Sequence, residues 1–279
     1  MDNFHQKDQD LTKLLEEKAR WVRKETFKIY KISPGIRLAS SLSDVEILVA
    51  LYYGGVLKFD PQNPYWEGRD RFIASKGHGS ISLYPILADL GFFDLKELAR
   101  ISHEGSFLAD IPDTRIPGYE TINGSLGHGP GVACGIAIGL QKKKSDARVF
   151  VLTGDGELNE GSVWEAVMFA GHHKLNNLIL IVDNNKTSML SRSKDIIDLE
   201  PLEKKFSDFG WKVVRIDGHN AMNVYETLKN LKEDTSGYPK VLIADTIKGK
   251  GVSQLESDAM SHSRVLKVEE IIDAERQLQ

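Results

Sequence analysis

The chain has 279 residues, with 36 Lys and Arg against 40 Asp and Glu and a formal net charge of −4; that length buries a full core, and its scattered basic residues exclude an extended nucleic-acid surface. The single cysteine, Cys134, excludes an internal disulfide and fits a reducing compartment. No apolar run approaches the about 20 residues that cross a bilayer, and the polar N-terminus lacks a signal-peptide core, so the expectation is a soluble cytoplasmic protein with no membrane and no nucleic-acid partner.

In chain order, Leu11, Leu14, Leu15, Val22 and Ile29 fall near one face of a helix predicted over 8–32. Ser33-Pro34-Gly35 ends it. Ser43 to Glu46 has the form of a capping box ahead of an apolar helix over 47–57. Residues 60–64 read as a loop and 72–75 as a short buried strand, running into Lys76-Gly77-His78-Gly79 and a helix to 90. Asp94 to Glu97 repeats the capping-box pattern. Residues 103–123 show little periodicity and are read as a long loop, which inside a compact domain is usually functional.

A helical apolar pattern over 125–140 is punctuated by Gly127, Gly129, Gly131, Gly135 and Gly139. Glycine costs about 1 kcal/mol per helical position, so this many suggests that something packs close to the backbone. Strands and helices then alternate: strand 149–153, helix 160–174, strand 178–183, strand 213–216, helix 220–233, strand 241–246 and a final helix from about 268. The expected class is α/β, a mainly parallel sheet with helices on both faces, in one domain over 1–279.

Two turns stand out. Gly154-Asp155-Gly156 directly follows one apolar strand, and Asn184-Asn185 directly follows the next, with one helix between them. The carboxyl ends of parallel strands are where open sheets bind ligands, so both turns should meet at one edge. There Asp155 would offer a carboxylate, Asn185 a side-chain carbonyl and Thr187 its backbone carbonyl to Mg²⁺ or Ca²⁺, cations that take oxygen ligands. Gly156 would let a diphosphate approach without a Cβ in the way.

The run from Gly154 to Glu165 resembles the diphosphate motif of the transketolases, which use thiamine diphosphate. Ser75-Lys76-Gly77-His78-Gly79-Ser80, Gly124-Ser125-Leu126-Gly127-His128-Gly129 and Thr246-Ile247-Lys248-Gly249-Lys250-Gly251 are similar to further segments of that family, in the same order. The resemblance covers roughly residues 10 to 270 and implies the thiamine-diphosphate-binding fold. It also implies roles residue by residue. Gly124 and Leu126, with Ser125, match a segment touching the cofactor, where a helix start would favour an anion. His78 and His262 match histidines near the cofactor diphosphate and the substrate, although either could also be a solvated loop histidine. Lys76 and Lys248 resemble cofactor-side lysines of some members, with a surface role as the plain alternative. Glu160 matches a residue supporting the cofactor site and Glu165 one in an acid network at a dimer interface; without the resemblance they read as a capping and a surface carboxylate.

The chain departs from the family pattern in two places. Arg37, in Gly35-Ile36-Arg37, stands where members carry a sugar-binding histidine, and Tyr119 follows Pro117-Gly118 where a second one is usual. A guanidinium is a fixed cation with a bidentate fork, so Arg37 and Tyr119 are expected to face a carboxylate, phosphate or sulfonate rather than a neutral hydroxyl. The resemblance further implies a second, pyrimidine-binding domain that carries the glutamate acting on the cofactor, and no second α/β array follows here. The expectation is therefore the N-terminal subunit of a split transketolase, working with a separate C-terminal subunit in an α₂β₂ heterotetramer; a truncated chain would read the same way. It would transfer a two-carbon ketol unit from a ketose to an aldose, with thiamine diphosphate as electron sink and a sugar phosphate or a sulfonated or branched sugar as donor. The rivals are a deoxyxylulose-phosphate-synthase-like enzyme and a cofactor-binding module without turnover.

Overall fold

A computed structural model describes residues 2–189 and 191–279. The chain opens with α1 (Asp2–Ile32), α2 (Leu38–Leu42) and α3 (Val45–Tyr52), followed by β1 (Arg71–Ala74) and α4 (Leu83–Asp89). After the long loop come α5 (Gly129–Lys142), β2 (Val149–Gly154), α6 (Gly161–His172) and β3 (Leu178–Asn184). Two short helices, α7 (Ser193–Ile196) and α8 (Leu202–Asp208), lead to β4 (Lys212–Asp217), α9 (Ala221–Glu233) and β5 (Lys240–Asp245). α10 (Ser253–Glu256) and α11 (Val268–Gln277) end the chain.

The strands form one all-parallel sheet in the order β1-β2-β3-β5-β4. β2 and β3 are buried along their whole length, as expected of strands covered on both faces. Alternate residues feed two cores. Phe72, Phe150, Leu152, Ile179, Ile181 and Leu242 point toward α1, α3, α4 and α9. Ile73, Val149, Val151, Leu180, Val182 and Ile243 point toward α5, α6 and α8. Burying each such side chain stabilises the fold by about 1.5–3 kcal/mol, so a strand slipped by one residue would exchange both faces at once. The α/β reading with helices on both faces is thus observed.

Several local expectations are corrected. The capping box at Ser43 does not form: Ser43 Oγ donates to Ser40 O at 3.0 Å and to Asp183 at 2.6 Å. Glu46 instead makes a buried ion pair with Arg23 of α1 at 2.7 Å and meets His219 Nδ1 at 3.0 Å, and α3 stops at Tyr52 rather than 57. Around Asp94 the second box is half realised. Asp94 accepts from Lys96 N at 2.9 Å, but Glu97 turns to Arg100, 3.2 Å away, and the segment is a 3₁₀ helix.

The glycine-punctuated helix begins at Gly129, not 125, because Gly127 has φ +85°, outside helical geometry. Of the five glycines, two show the close packing expected: an added Cβ would lie 2.5 Å from Ser162 Oγ and 2.7 Å from Glu160 Cβ at Gly127, and 2.3 Å from Ser75 Oγ at Gly129. Gly131, Gly135 and Gly139 have nothing within 4 Å and lie exposed. Their helix cost is therefore not explained by packing within the chain.

Candidate functional site

Register places the two turns together. Gly154 of β2 pairs with Asp183 of β3, and Asp155 N donates to Asp183 O at 3.1 Å. Thr246, just past β5, donates its N–H to Asn184 O at 3.2 Å, so the turns after β2, β3 and β5 share one edge. A cavity of about 680 Å³ opens there. It gathers most of the residues singled out in the sequence: Arg37, Lys76, His78, Gly124, Leu126, Asp155, Gly156, Asn185, Thr187, Lys248 and His262.

Four do not reach it. Tyr119 is in the core, its ring edge-on to Tyr84 and its hydroxyl donating to Ser80 O at 2.9 Å. The expectation that it faces a substrate is corrected, because burial and the Ser80 contact hold its phenol inward. Ser125 is exposed outside the cavity, and Glu160 and Glu165 lie exposed at the start of α6. Glu160 makes no side-chain capping bond there.

At the turn after β2, Asp155 is 6 % exposed. Its Oδ2 accepts from Ser193 Oγ at 2.6 Å, while its buried Oδ1 has no hydrogen-bond partner among the described residues. Burial, against the Ser193 hydrogen bond, pushes its carboxyl up to about 6. Asn185 donates through Nδ2 to Asp183 at 3.1 Å, and its Oδ1 accepts from Thr187 N at 3.2 Å. The Thr187 carbonyl accepts from Lys248 Nζ at 2.9 Å.

Among the described residues no three His, Cys, Asp or Glu side chains cluster as for a zinc-type site. The donor set is one carboxylate, one carboxamide and one backbone carbonyl, all hard oxygens, which suits Mg²⁺ or Ca²⁺ completed by phosphate oxygens. An orphaned buried carboxylate oxygen is what such a cation would satisfy. A Cβ at Gly124 would meet nothing within 4 Å and one at Gly156 only Ser188 at 3.6 Å, so both flanks leave room for a ligand. The residues fit a divalent cation with a diphosphate.

Beneath this turn lies a buried charge cluster whose geometry no sequence motif announces. Lys76, read from sequence as a cofactor-side or surface lysine, is 3 % exposed, which removes the surface alternative. Its ammonium pairs with Asp183 and, at 2.8 Å, with Asp44. Asp183 also accepts from Ser43 and Thr246, and Asp44 from Ser82 at 3.2 Å. Although burial opposes it, the two carboxylates hold the Lys76 pKa above its usual value. Burial pushes Asp44 up to about 7, while Lys76 holds Asp183 low in spite of burial. Glu157, also unforeseen, accepts from Ser75 Oγ, from Gly127 N at 2.8 Å and from Gly154 N at 3.4 Å. It thereby ties together three of the loops that carry the motifs.

In the same cavity lining the His78 and His262 rings lie 5.0 Å apart. Burial, then His262 and nearby cations, lowers His78 to about 3; burial, then Lys248 and Arg37, lowers His262 to about 4. Both imidazoles are neutral at neutral pH, able to donate and accept hydrogen bonds but not to act as standing cations. Burial lowers Lys248 to about 8. Arg37 is half-buried in the wall, with no carboxylate within ion-pair distance among the described residues.

A second cavity of about 630 Å³ adjoins this one, and Asp155, Asn159, Thr187 and Ile197 line both. Ser193 and the exposed Met189, Ile196 and Ile197 are further site-bordering residues that sequence reasoning missed. Their only signal was position, shortly after the Asn-Asn turn.

Residues 33–279 match the family model described as transketolase, thiamine diphosphate binding domain. The chain is 39% identical over 257 residues to the 6-deoxy-6-sulfo-D-fructose transketolase subunit SqwG of a Clostridium species, covering 91% of this chain and 92% of that protein. It is 40% identical over 259 residues to an apulose-4-phosphate transketolase subunit of Actinobacillus succinogenes, covering 92% and 93%. Among solved structures, the transketolase of Campylobacter jejuni superposes with a TM-score of 0.88 at 32% identity, over 95% of this chain and 43% of that one.

Proposed function

This chain belongs to the family of the transketolase thiamine diphosphate binding domain, and on that footing we propose that it is the N-terminal subunit of a split transketolase that moves a two-carbon ketol unit from a ketose to an aldose. The observation that carries the reading is the convergence of Asp155, Asn185 and Thr187 with His78 and His262 in one cavity. The two subunit-named relatives have nearly this chain's length, which supports a separate C-terminal subunit bearing the pyrimidine-binding domain. With that partner the proposed assembly is an α₂β₂ heterotetramer, in which Glu160 supports the cofactor site and Glu165 joins an acid network at the dimer interface. A lone buried thiol at Cys134 and the absence, among the described residues, of a helix able to cross a membrane are in keeping with a cytoplasmic enzyme.

In this reading Asp155, Asn185 and the Thr187 carbonyl hold Mg²⁺ or Ca²⁺. Gly156 and Lys248 receive the diphosphate, and Gly124, Ser125 and Leu126 flank the cofactor's rings. Bound thiamine diphosphate supplies the electron sink for breaking and making the carbon–carbon bond. His78 and His262, kept neutral by burial, orient substrate oxygens by hydrogen bonds and hold or pass a proton there. Ile196, Ile197 and Met189 exclude water at the cavity mouth. Arg37, a cation without a carboxylate of its own, faces an anionic substrate. The relatives named for a sulfonated and for a branched phosphorylated sugar point the same way.

The test is ketol transfer by the chain reconstituted with its C-terminal partner, over a panel of phosphorylated, sulfonated and uncharged ketoses. Transfer from an anionic ketose is expected, with Arg37→Gln raising KM for that donor about tenfold or more and leaving an uncharged ketose unaffected, since a charged hydrogen bond contributes about 1.5–3 kcal/mol. Cofactor bound without transfer from any donor would turn the reading into a binding module.

A further inference from the structure

Lys248 lies in the turn after β5, and its ammonium touches two parts of the site at once. Nζ donates to the Thr187 carbonyl at 2.9 Å and lies 3.1 Å from His262 Nδ1. An ammonium carries only donors. The ring nitrogen facing it must therefore be the unprotonated acceptor. The other neighbour of Nδ1 is Ser40 Oγ at 3.4 Å, a hydroxyl free to donate as well. In a neutral imidazole the remaining proton then sits on Nε2, which makes no hydrogen bond among the described residues. His262 lines the cavity with its ring 5.0 Å from that of His78.

We propose that Lys248 is a positioning residue that fixes His262 as the Nε2–H tautomer, so that the ring presents a hydrogen-bond donor to a substrate oxygen. A histidine tautomer is set by the hydrogen bond its other nitrogen makes, and here that partner also grips the loop carrying Asn185 and Thr187. The same side chain thus keeps the ring in register with the cation turn. The groups that face His262 are Lys248, Arg37, Lys76, His78 and Ser40. Its nearest charged neighbours are cations, which keep the ring neutral and the tautomer well defined. The inference rests on the reading that His262 faces substrate, yet its test reads the ring itself and is independent of turnover.

The experiment is long-range ¹H–¹⁵N NMR on the full chain labelled with ¹⁵N-histidine, at neutral pH, with the His262 signals assigned by their loss in His262→Gln. The expected spectrum has a protonated Nε2 and an unprotonated Nδ1. Lys248→Met should populate the Nδ1–H form, and Lys248→Arg, which restores a donor, should return the ring to a single tautomer. A wild-type ring protonated on Nδ1 or averaged between forms would overturn the proposal, as would a Lys248→Met spectrum identical to wild type. The wild-type spectrum alone decides the tautomer, so the proposal stays exposed even if the methionine variant fails to fold. Absence of ketol transfer with a well-defined Nε2–H ring would count against the enzyme reading and not against this one.

Discussion

Replacing Asp155 by Asn keeps the shape of the turn proposed to hold the cation and removes its charge. Burial raises the Asp155 carboxyl from the usual 3.8 to about 6. At 1.36 kcal/mol per pH unit, keeping it ionised at neutral pH without a cation costs about 3 kcal/mol. The folded chain therefore holds more protons than the unfolded one between about pH 4 and 6, and its cation-free stability falls as pH rises through that window. Asp44, raised to about 7, adds a fall of the same sign, so the difference between wild type and variant isolates Asp155. Urea unfolding in chelator should find Asp155→Asn up to about 3 kcal/mol more stable than wild type at neutral pH and level with it in acid. Addition of Mg²⁺ and thiamine diphosphate should stabilise wild type strongly and the variant little, reversing the order. An Asp155→Asn variant no more stable than wild type in chelator, and equally stabilised by cation and cofactor, would refute the assignment.

Other substitutions probe the surroundings. The Ser193 hydroxyl donates to Asp155 Oδ2 at 2.6 Å and so orients the carboxylate with Oδ1 open to a cation; Ser193→Ala should weaken Mg²⁺ binding about fivefold, an effect of about 1 kcal/mol, by calorimetry with saturating thiamine diphosphate, and tighter binding would contradict it. Lys76→Met leaves Asp44 and Asp183 facing each other in the interior and should cost about 3–5 kcal/mol in urea unfolding; an unchanged midpoint would mean the triad is not formed. Gly129→Ala would drive a Cβ to 2.3 Å from Ser75 Oγ and should destabilise by about 1–3 kcal/mol. Gly131→Ala, with nothing within 4 Å, should stabilise the isolated chain by up to about 1 kcal/mol through helix propensity, and equal effects at both positions would argue against the observed helix placement.

The sheet was legible because its strands are continuous apolar runs bounded by turn residues, a pattern that burial on both faces imposes. The site was legible because the Gly154-Asp155-Gly156 and Asn184-Asn185 turns each directly end such a strand, so parallel register alone brings them to one edge. Local patterns failed where a distant partner claimed the group. Ser43 is drawn from its cap by Asp183, Glu46 by Arg23 and Tyr119 by Ser80, contacts between residues far apart in the chain. The cluster of Lys76, Asp44 and Asp183 stayed hidden for the same reason. Its members come from three elements, and only the fold shows that a lysine beside the site spends its charge on the floor beneath.

The most direct measurement is a crystal structure of the chain with thiamine diphosphate and Mn²⁺ in place of Mg²⁺, with the metal located by anomalous scattering. The account expects one peak bonded to Asp155, the Asn185 side-chain oxygen and the Thr187 carbonyl, with diphosphate oxygens completing the shell and Ser193 still donating to the other Asp155 oxygen. A cofactor bound with its metal elsewhere, or with none of those three oxygens in the shell, would contradict it.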